Sequence, residues 1–251
     1  MTEIIKSRKN EKIVHMKKLG SSASYRRETG ETLCDGAKLL REALSHGVKV
    51  TAVLTCGEVS VPENVKVYQV DRELLEYVSP MKTPQTVLFS CEIPDMSGGG
   101  AEIKNAIILE NIQDPGNVGT MIRTANAFSV DTVILAGDCA DPFSPKTVRA
   151  SMGASFRQRI VRMDLAEIEE LKEKMPIYGA ALSERSVDIG NVDLKNAAVV
   201  IGNEGSGLSD EMLSLCSGEM IIPMNPDCES LNAGAAAAVV MWEMRRANVC
   251  S

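Results

Sequence analysis

The chain has 251 residues, 44% of them hydrophobic, which is enough for a packed core in one large domain or two smaller ones. Aromatic residues make up 4% of the chain, too few for rows of side chains that stack on single-stranded bases. Two histidines and seven cysteines without a C-x-x-C pair leave little material for a Ser-His-Asp site or a zinc site. We therefore predict no metal ion and reduced thiols, as in a cytoplasmic protein.

The first thirty residues are basic, although the whole chain carries a net charge of −7. They hold eight basic and three acidic side chains, a net charge of +5, so the remaining residues carry −12. The N-terminus lacks the apolar core of a secretory signal, and the longest apolar run is too short to cross a membrane. A high local density of cations favours phosphate binding, although a solvated basic helix would show the same pattern.

Residues 1–95 have the pattern of a small α/β domain. Apolar residues at helical spacing predict two helices, and Asp71 is placed to cap a third. Short apolar runs predict four strands. The predicted helices are 10–19, 37–44 and 72–78, and the predicted strands are 32–34, 48–54, 65–70 and 86–89. A glycine-rich segment then predicts a linker at 96–104 and a second domain at 105–251.

The second domain alternates short apolar strands with helices, which predicts a parallel sheet covered on both faces. Ligands of such sheets bind at the carboxyl ends of the strands. The predicted strands are 106–109, 132–135, 159–161, 177–181, 198–201 and 220–222.

Three of these strand ends carry unusual residues. After 106–109, a Pro-Gly turn leads to Asn117, where we predict the start of a helix, and Arg123 lies on that helix near the loop. An arginine there suits phosphate or ribose contact, although an exposed arginine without a role is the alternative. After 198–201, three glycines within six residues allow a ligand to approach the backbone, and Ser209 is placed to cap the next helix.

The third strand end reads Ile222-Pro223-Met224 through Ser230-Leu231-Asn232 and leads into a helix that opens with alanines and a glycine. Ser230 or Asn232 is placed to cap this helix. Residues this small permit another backbone to come very close.

Together the three segments resemble motifs of the SpoU (TrmH) branch of the SPOUT RNA methyltransferases, which transfer a methyl group from S-adenosylmethionine to a ribose 2′-hydroxyl. The resemblance covers essentially the whole chain. It implies a parallel-sheet domain with a C-terminal trefoil knot, which is a rare exception to unknotted topology. It also implies a homodimer and a preceding α/β domain of ribosomal-protein-like fold that binds RNA.

The resemblance also implies roles for particular residues. Arg123 would act on the 2′-hydroxyl as a base or bind the adjacent phosphate, and we favour the phosphate because a guanidinium is almost never deprotonated. The residues expected to complete the catalytic group are Asn117, Glu204, Ser230 and Asn232. The expected cofactor contacts are Leu109, Gly202, Ile222, Pro223, Met224 and Leu231. The candidates for RNA binding are Lys6, Arg8, Lys9, Lys12, Arg26 and Arg27.

The chain departs from the family pattern at three places. Pro226 stands where many relatives have glycine, and Ala233-Gly234 replaces a more usual Val-Ser pair, which bears on donor affinity. Ser129 stands where a helix-ending glycine is common, so we expect strain in that turn.

The separate basic N-terminal domain favours large-subunit ribosomal RNA as substrate over transfer RNA. An inactive RNA-binding or assembly protein is a further alternative. A nucleotide-binding dehydrogenase is disfavoured, since the glycine spacing matches neither G-x-G-x-x-G nor a Walker loop.

Overall fold

The computed structural model describes residues 2–95, 100–225, 227 and 230–249. By their contacts the residues form two compact units, 1–95 with 141–156, and 96–140 with 157–251. The segment 141–156 falls inside the predicted domain 105–251, yet its contacts lie within the first unit. Residues 96–99 of the predicted linker lie outside the described residues.

The chain begins with one strand and two helices, after which strands and helices mostly alternate. The strands are β1 (Thr2–Ile4), β2 (Glu31–Asp35), β3 (Val50–Thr55), β4 (Val67–Gln69), β5 (Val87–Glu92), β6 (Ala106–Glu110), β7 (Thr132–Ala136), β8 (Arg159–Arg162), β9 (Ile177–Ala180), β10 (Val187–Asp188), β11 (Ala198–Ile201) and β12 (Gly218–Ile221). The helices are α1 (Glu11–Ser21), α2 (Ala23–Thr29), α3 (Ala37–Ser45), α4 (Arg72–Val78), α5 (Pro115–Ala127), α6 (Pro145–Ala150), α7 (Leu165–Lys172), α8 (Asp210–Leu215) and α9 (Ala233–Val249).

The first unit is built on a five-stranded mixed sheet in the order β1-β4-β3-β5-β2. Asp71 caps α4 as predicted, since its side chain accepts a hydrogen bond from Leu74 N at 2.7 Å. Apolar clusters cover both faces of the sheet, one of them around Phe89. That cluster includes Val148 and Phe156, so the returning segment 141–156 completes the core of the first unit. Strands β1 and β10 were not predicted, because two or three residues carry too little periodicity.

The second unit is built on a seven-stranded sheet in the order β10-β12-β9-β11-β6-β7-β8, in which all pairs are parallel. The prediction of a parallel sheet is therefore confirmed. The residues of β6, β7 and β11 are buried along their whole length, which is why they form continuous apolar runs in the sequence. Helices α7 and α8 cover one face of this sheet.

Helix α5 starts two residues earlier than predicted. Asp114 is its cap, accepting from Asn117 N at 2.8 Å, and Pro115 occupies the first turn, where a missing N–H costs nothing. Asn117 therefore lies inside the first turn. Ser209 caps α8 as predicted, with Met212 N donating to its hydroxyl at 3.1 Å.

Helix α9 begins directly after Asn232, whose side-chain oxygen accepts from Gly234 N at 2.9 Å. Of the two predicted caps, Asn232 makes this contact. The helix packs against α5, and a Cβ at position 234 would lie 3.6 Å from both Asn117 Oδ1 and Thr120 Cγ2. The small residues thus let the two helices approach each other closely. Within the described ranges, no helix is long and apolar enough to span a bilayer.

Ser129 has a left-handed backbone with φ of 58° just after α5, which agrees with the expected strain. We expect Ser129→Gly to raise the free energy of unfolding by about 0.5–1 kcal/mol, because glycine adopts this conformation without steric cost. Thermal and urea unfolding would measure the change. The control is Ser214→Gly in the last turns of α8, which should lower stability because a helical glycine loses more conformational freedom. A loss of stability in Ser129→Gly would contradict the strain.

Candidate active site

The three unusual segments follow β6, β11 and β12, and they meet at the carboxyl edge of the second unit's sheet. Strand β11 pairs with β6, while β9 separates β11 from β12. A cavity of about 500 Å³ opens at this edge. Three runs of residues line it at strand ends, 180–183 with 185 at the end of β9, 201–208 at the end of β11, and 219–222 with 224 at the end of β12. Further lining residues are Leu213, Ser230, Leu231, Ala233 and Ala236.

Three of the predicted catalytic side chains form a hydrogen-bonded chain at this edge. Asn117 Nδ2 donates to Glu204 Oε1, and Asn232 Nδ2 donates to Asn117 Oδ1 at 3.4 Å. Asn117 thereby joins the segment after β11 to the start of α9. All three side chains belong to exposed or partly exposed residues, and Glu204 also lines the cavity. The arrangement presents a carboxylate and amides to whatever binds there.

The loop that carries Glu204 is held at both ends by residues at the carboxyl end of β6. Asn203 donates from Nδ2 to the carbonyl oxygen of Asn111 at 2.9 Å, and its Oδ1 accepts from Gly205 N at 2.8 Å. At the other end, the buried carboxylate of Glu110 accepts from Ser209 Oγ at 2.6 Å and from Ser209 N at 3.1 Å. Hydrogen bonds to a charged, buried acceptor are among the stronger ones in proteins. Sequence reasoning missed Glu110, which is the last residue of a strand that otherwise appears purely apolar.

The same loop closes on itself through a short bridge between Asn203 and Gly207. A Cβ placed on Gly202 would lie 2.4 Å from the carbonyl carbon and oxygen of Gly207 and 2.7 Å from Leu208 N. These neighbours are backbone atoms that cannot rotate away. Position 202 therefore requires glycine for steric reasons.

Four of the six predicted cofactor contacts line the cavity, namely Gly202, Ile222, Met224 and Leu231. Leu109 does not, because its side chain is fully buried in β6, and its carbonyl oxygen accepts from Cys139 Sγ at 3.1 Å. Pro223 is exposed and is not part of the lining either.

Ser230 lines the cavity, as predicted for a site residue. Arg123 is exposed on α5 and is not among the lining residues. In the part of the chain that the structure describes, no hydrogen bond or ion pair joins its guanidinium to Asn117, Glu204 or Asn232. Of the five predicted catalytic residues, Glu204 and Ser230 therefore line the cavity, and Asn117 and Asn232 are joined to Glu204 by hydrogen bonds. Arg123 is exposed on the helix that carries Asn117.

The end of β9 supplies a further wall of the cavity that sequence reasoning did not predict. Ser183 and Arg185 follow this strand, and both donate to the carboxylate of Glu219 on β12, Arg185 Nη2 at 2.6 Å from Oε1. The side chain of Glu219 is 8% exposed, whereas that of Arg185 is 77% exposed. The segment from Leu182 to Arg185 lacks glycines and any recognisable motif, so no pattern in the sequence marked it.

The thiol of Cys216 is influenced by the carboxylates of Glu219 and Glu110. Burial raises the pKa of Cys216 to about 11, and the charges of Glu219 and Glu110 add to the rise. Burial likewise raises the pKa of Cys139. A thiol with so high a pKa is protonated at neutral pH, so neither cysteine offers a nucleophilic thiolate. Among the described residues, no group of three metal-ligating side chains is suited to hold a metal ion.

The predicted RNA-binding residues of the first unit differ in their surroundings. Arg26 does not fit the prediction, because it is 5% exposed and pairs with Asp141 at 2.6 Å while donating to the carbonyl oxygen of Leu19 at 2.7 Å. It is a structural residue that holds the segment 141–156, whereas the other five candidates, Lys6, Arg8, Lys9, Lys12 and Arg27, are exposed.

Two family models match the chain. The model of the SpoU rRNA methylase family matches residues 104–242, more than half of the chain. The chain belongs to this family. A second model, described as an MRM3-like substrate binding domain, matches residues 10–88, which belong to the first unit of this chain.

Curated relatives and solved structures agree with the family assignment. The 23S rRNA (guanosine(2553)-2'-O)-methyltransferase RlmP of Bacillus subtilis is 32% identical over 96% of this chain and 98% of its own length. A 23S rRNA (uridine(2479)-2'-O)-methyltransferase of Streptomyces viridochromogenes is 26% identical over 96% of this chain and 91% of its own. The AdoMet-bound rRNA methyltransferase from Sinorhizobium meliloti is 27% identical, with a TM-score of 0.84 over 98% of both chains.

Gly202 gives a direct test of the loop geometry. We expect Gly202→Ala to weaken S-adenosylmethionine binding at least about tenfold, because the new methyl group would displace the backbone of residues 207 and 208. Calorimetric titration would measure the affinity. The control is Gly57→Ala in the first unit, outside the cavity lining, where the nearest atom would lie at 3.9 Å and belongs to the Thr86 side chain. Equal affinities for both variants would contradict the steric account.

Proposed function

We propose that the protein transfers a methyl group from S-adenosylmethionine to a ribose 2′-hydroxyl of large-subunit ribosomal RNA. The observation that carries this proposal is the hydrogen-bonded chain Asn232–Asn117–Glu204 beside a cavity of about 500 Å³, in a chain of the SpoU family. The curated relatives that act on 23S rRNA and align with nearly the whole chain support the choice of substrate.

The cavity suits the methyl donor in size and chemistry. Its volume lies within the about 300–1,000 Å³ of small-molecule sites. Ile201, Leu208, Met220, Ile222 and Leu231 give it apolar walls for a purine ring, while the backbone of 202–207 offers polar atoms at close range. When bound there, S-adenosylmethionine supplies a methyl group that is already activated for transfer.

The protein's part of the reaction is to position the hydroxyl and assist loss of its proton. Glu204 bonds to the neutral amide of Asn117, so its carboxylate stays available to accept a hydrogen bond or a proton from the ribose hydroxyl. Asn232 fixes the amide of Asn117 from the other side. The oxygen forms its bond to the methyl carbon as the carbon–sulfur bond breaks, and the hydroxyl proton passes to the carboxylate or to solvent. Alignment of the two reactants accelerates the transfer in this scheme.

Arg123 binds the RNA phosphate next to the reacting ribose in this proposal. Its side chain is exposed on α5, the helix whose first turn carries Asn117, and an arginine keeps its proton in proteins. A planar guanidinium can donate two parallel hydrogen bonds to a phosphate, which would hold the nucleotide in register.

The proposal extends to the assembly and topology that the family resemblance implies. We propose a trefoil knot formed by the segments after β11 and β12, and a first domain of ribosomal-protein-like fold that binds RNA. We also propose a homodimer joined along α9, supported by the exposed apolar side chains of Val239 and Trp242 on that helix. Action on ribosomal RNA, together with the reduced thiols predicted from the sequence, supports a place in the cytoplasm.

Transfer of labelled methyl from S-adenosylmethionine to unmodified RNA tests the function and the role of Arg123 together. We expect label in large-subunit ribosomal RNA, in alkali-resistant dinucleotides, as ribose methylation requires. Arg123→Ala should lower the transfer rate by about 10²–10³-fold, because it removes one charged donor at the reacting nucleotide. Its affinity for the donor, measured by calorimetry, should change less than about threefold.

Other outcomes would change the proposal in defined ways. Loss of donor binding in Arg123→Ala would contradict its role as a phosphate ligand. Label confined to transfer RNA would support the methyltransferase activity but contradict the assignment of ribosomal RNA as the substrate. Absence of both label and donor binding in the wild type would leave an RNA-binding protein without catalysis.

Substitutions of two adjacent arginines, Arg26 and Arg27, test RNA binding and folding stability separately. We expect Arg27→Ala to weaken RNA binding and to reduce the slope of log affinity against log salt concentration by about 1, because one exposed phosphate contact is lost. Arg26→Ala should instead lower the free energy of unfolding by about 2–3 kcal/mol, because Asp141 loses its ion-pair partner. Filter binding at several salt concentrations and urea unfolding would measure the two effects. An unchanged salt slope in Arg27→Ala would rule out its phosphate contact.

A further inference from the structure

A polar cluster of Ser183, Arg185 and Glu219 forms part of the cavity wall on the side of β9 and β12. Asn117 follows β6, and β11 lies between β6 and β9 in the sheet. The cluster and the catalytic chain therefore border the cavity from different sides. The proposed mechanism uses none of the three side chains of this cluster.

Glu219 is a buried carboxylate with well-defined partners. It accepts from Ser183 Oγ at 2.5 Å and from Arg185 Nη2 at 2.6 Å, one donor on each oxygen. A carboxylate has about four acceptor positions, so two positions remain for a ligand. Ala181 N donates to the carbonyl oxygen of Met220 at 3.1 Å, which fixes the end of β9 against β12 next to this carboxylate. A charged group that is 8% exposed and borders a cavity is held in one orientation before any ligand arrives.

The charges of the cavity distinguish its two sides. Arg185 compensates the charge of Glu219, so this side presents hydrogen-bond acceptors with little net charge. Glu204 bonds to a neutral amide instead and leaves a negative charge near Asn117. A cationic sulfonium with its methyl group is favoured beside Glu204, and a neutral polar group of the same ligand is favoured beside Glu219.

We propose that Glu219 accepts hydrogen bonds from the ribose hydroxyls of the donor's adenosine, and that Ser183 and Arg185 are positioning residues for this carboxylate. The inference rests on the proposed use of the cavity for S-adenosylmethionine. Two vicinal hydroxyls match the two oxygens of a carboxylate, which is the usual way that an acidic side chain recognises a ribose. The adenosine end is thereby placed on the side of β9 and β12, and the methyl group on the side of Asn117.

The experiment compares S-adenosylhomocysteine with its 2′-deoxy and 3′-deoxy analogues by calorimetric titration. The wild-type protein should bind at least one deoxy analogue about tenfold more weakly, because the analogue lacks a hydrogen bond to a charged acceptor. Glu219→Gln should bind S-adenosylhomocysteine about tenfold more weakly and should distinguish it from that analogue by less than about twofold, since the charged acceptor is gone.

The control is Glu169→Gln, which changes an exposed carboxylate on α7 outside the cavity lining and should bind all three ligands as the wild type does. If Glu219→Gln weakens all three ligands by one common factor, the carboxylate is structural and the proposal is wrong. A wild-type protein that binds the deoxy analogues as tightly as S-adenosylhomocysteine overturns it too, whether or not the variant folds. Failure of the wild type to bind S-adenosylhomocysteine would instead contradict the proposed function itself.

Discussion

The approach of two backbone segments at Gly202 is the constraint on which the site depends. The chain leaves β11, turns, and returns so closely that the carbonyl group of Gly207 and the amide of Leu208 occupy the space of a side chain at position 202. This turn places Glu204 within hydrogen-bonding distance of Asn117, and its residues line the cavity. The turn is stable because its polar groups are paired, through Asn203 with Asn111 and through Ser209 with Glu110. The end of β6 thus anchors two neighbouring parts of the site.

A carboxylate such as Glu110 illustrates how a buried charge can organise a loop. It is 4% exposed and accepts two hydrogen bonds from one serine, whose hydroxyl also caps α8. Removing Ser209 would leave the buried carboxylate without these two donors, which costs more than the net value of the bonds themselves. The loop and the following helix are therefore fixed as one piece.

The sequence was sufficient to predict the parallel sheet, most strand positions and the three segments at its carboxyl edge, because long apolar runs and glycine or proline turns are local features. It predicted the proximity of Asn117, Glu204 and Asn232 through family resemblance. It did not distinguish Arg26 from Arg27, since burial of one and exposure of the other depend on Asp141, which lies 115 residues away. For the same reason it missed the contact of Arg185 with Glu219, and it placed Leu109 at the cavity although its side chain points into the core.

The segment 141–156 has a consequence for how the protein is made. It leaves the second unit after β7, supplies Val148 and Phe156 to the core of the first unit, and returns at β8. The first unit is therefore discontinuous, and a ribosome must synthesise well beyond residue 95 before that core can close. During this interval the cluster around Phe89 lacks two of its apolar members, and Arg26 lacks its carboxylate partner. A chain shortened to the methyltransferase portion alone would carry the opposite defect, because it would expose those same apolar side chains to water.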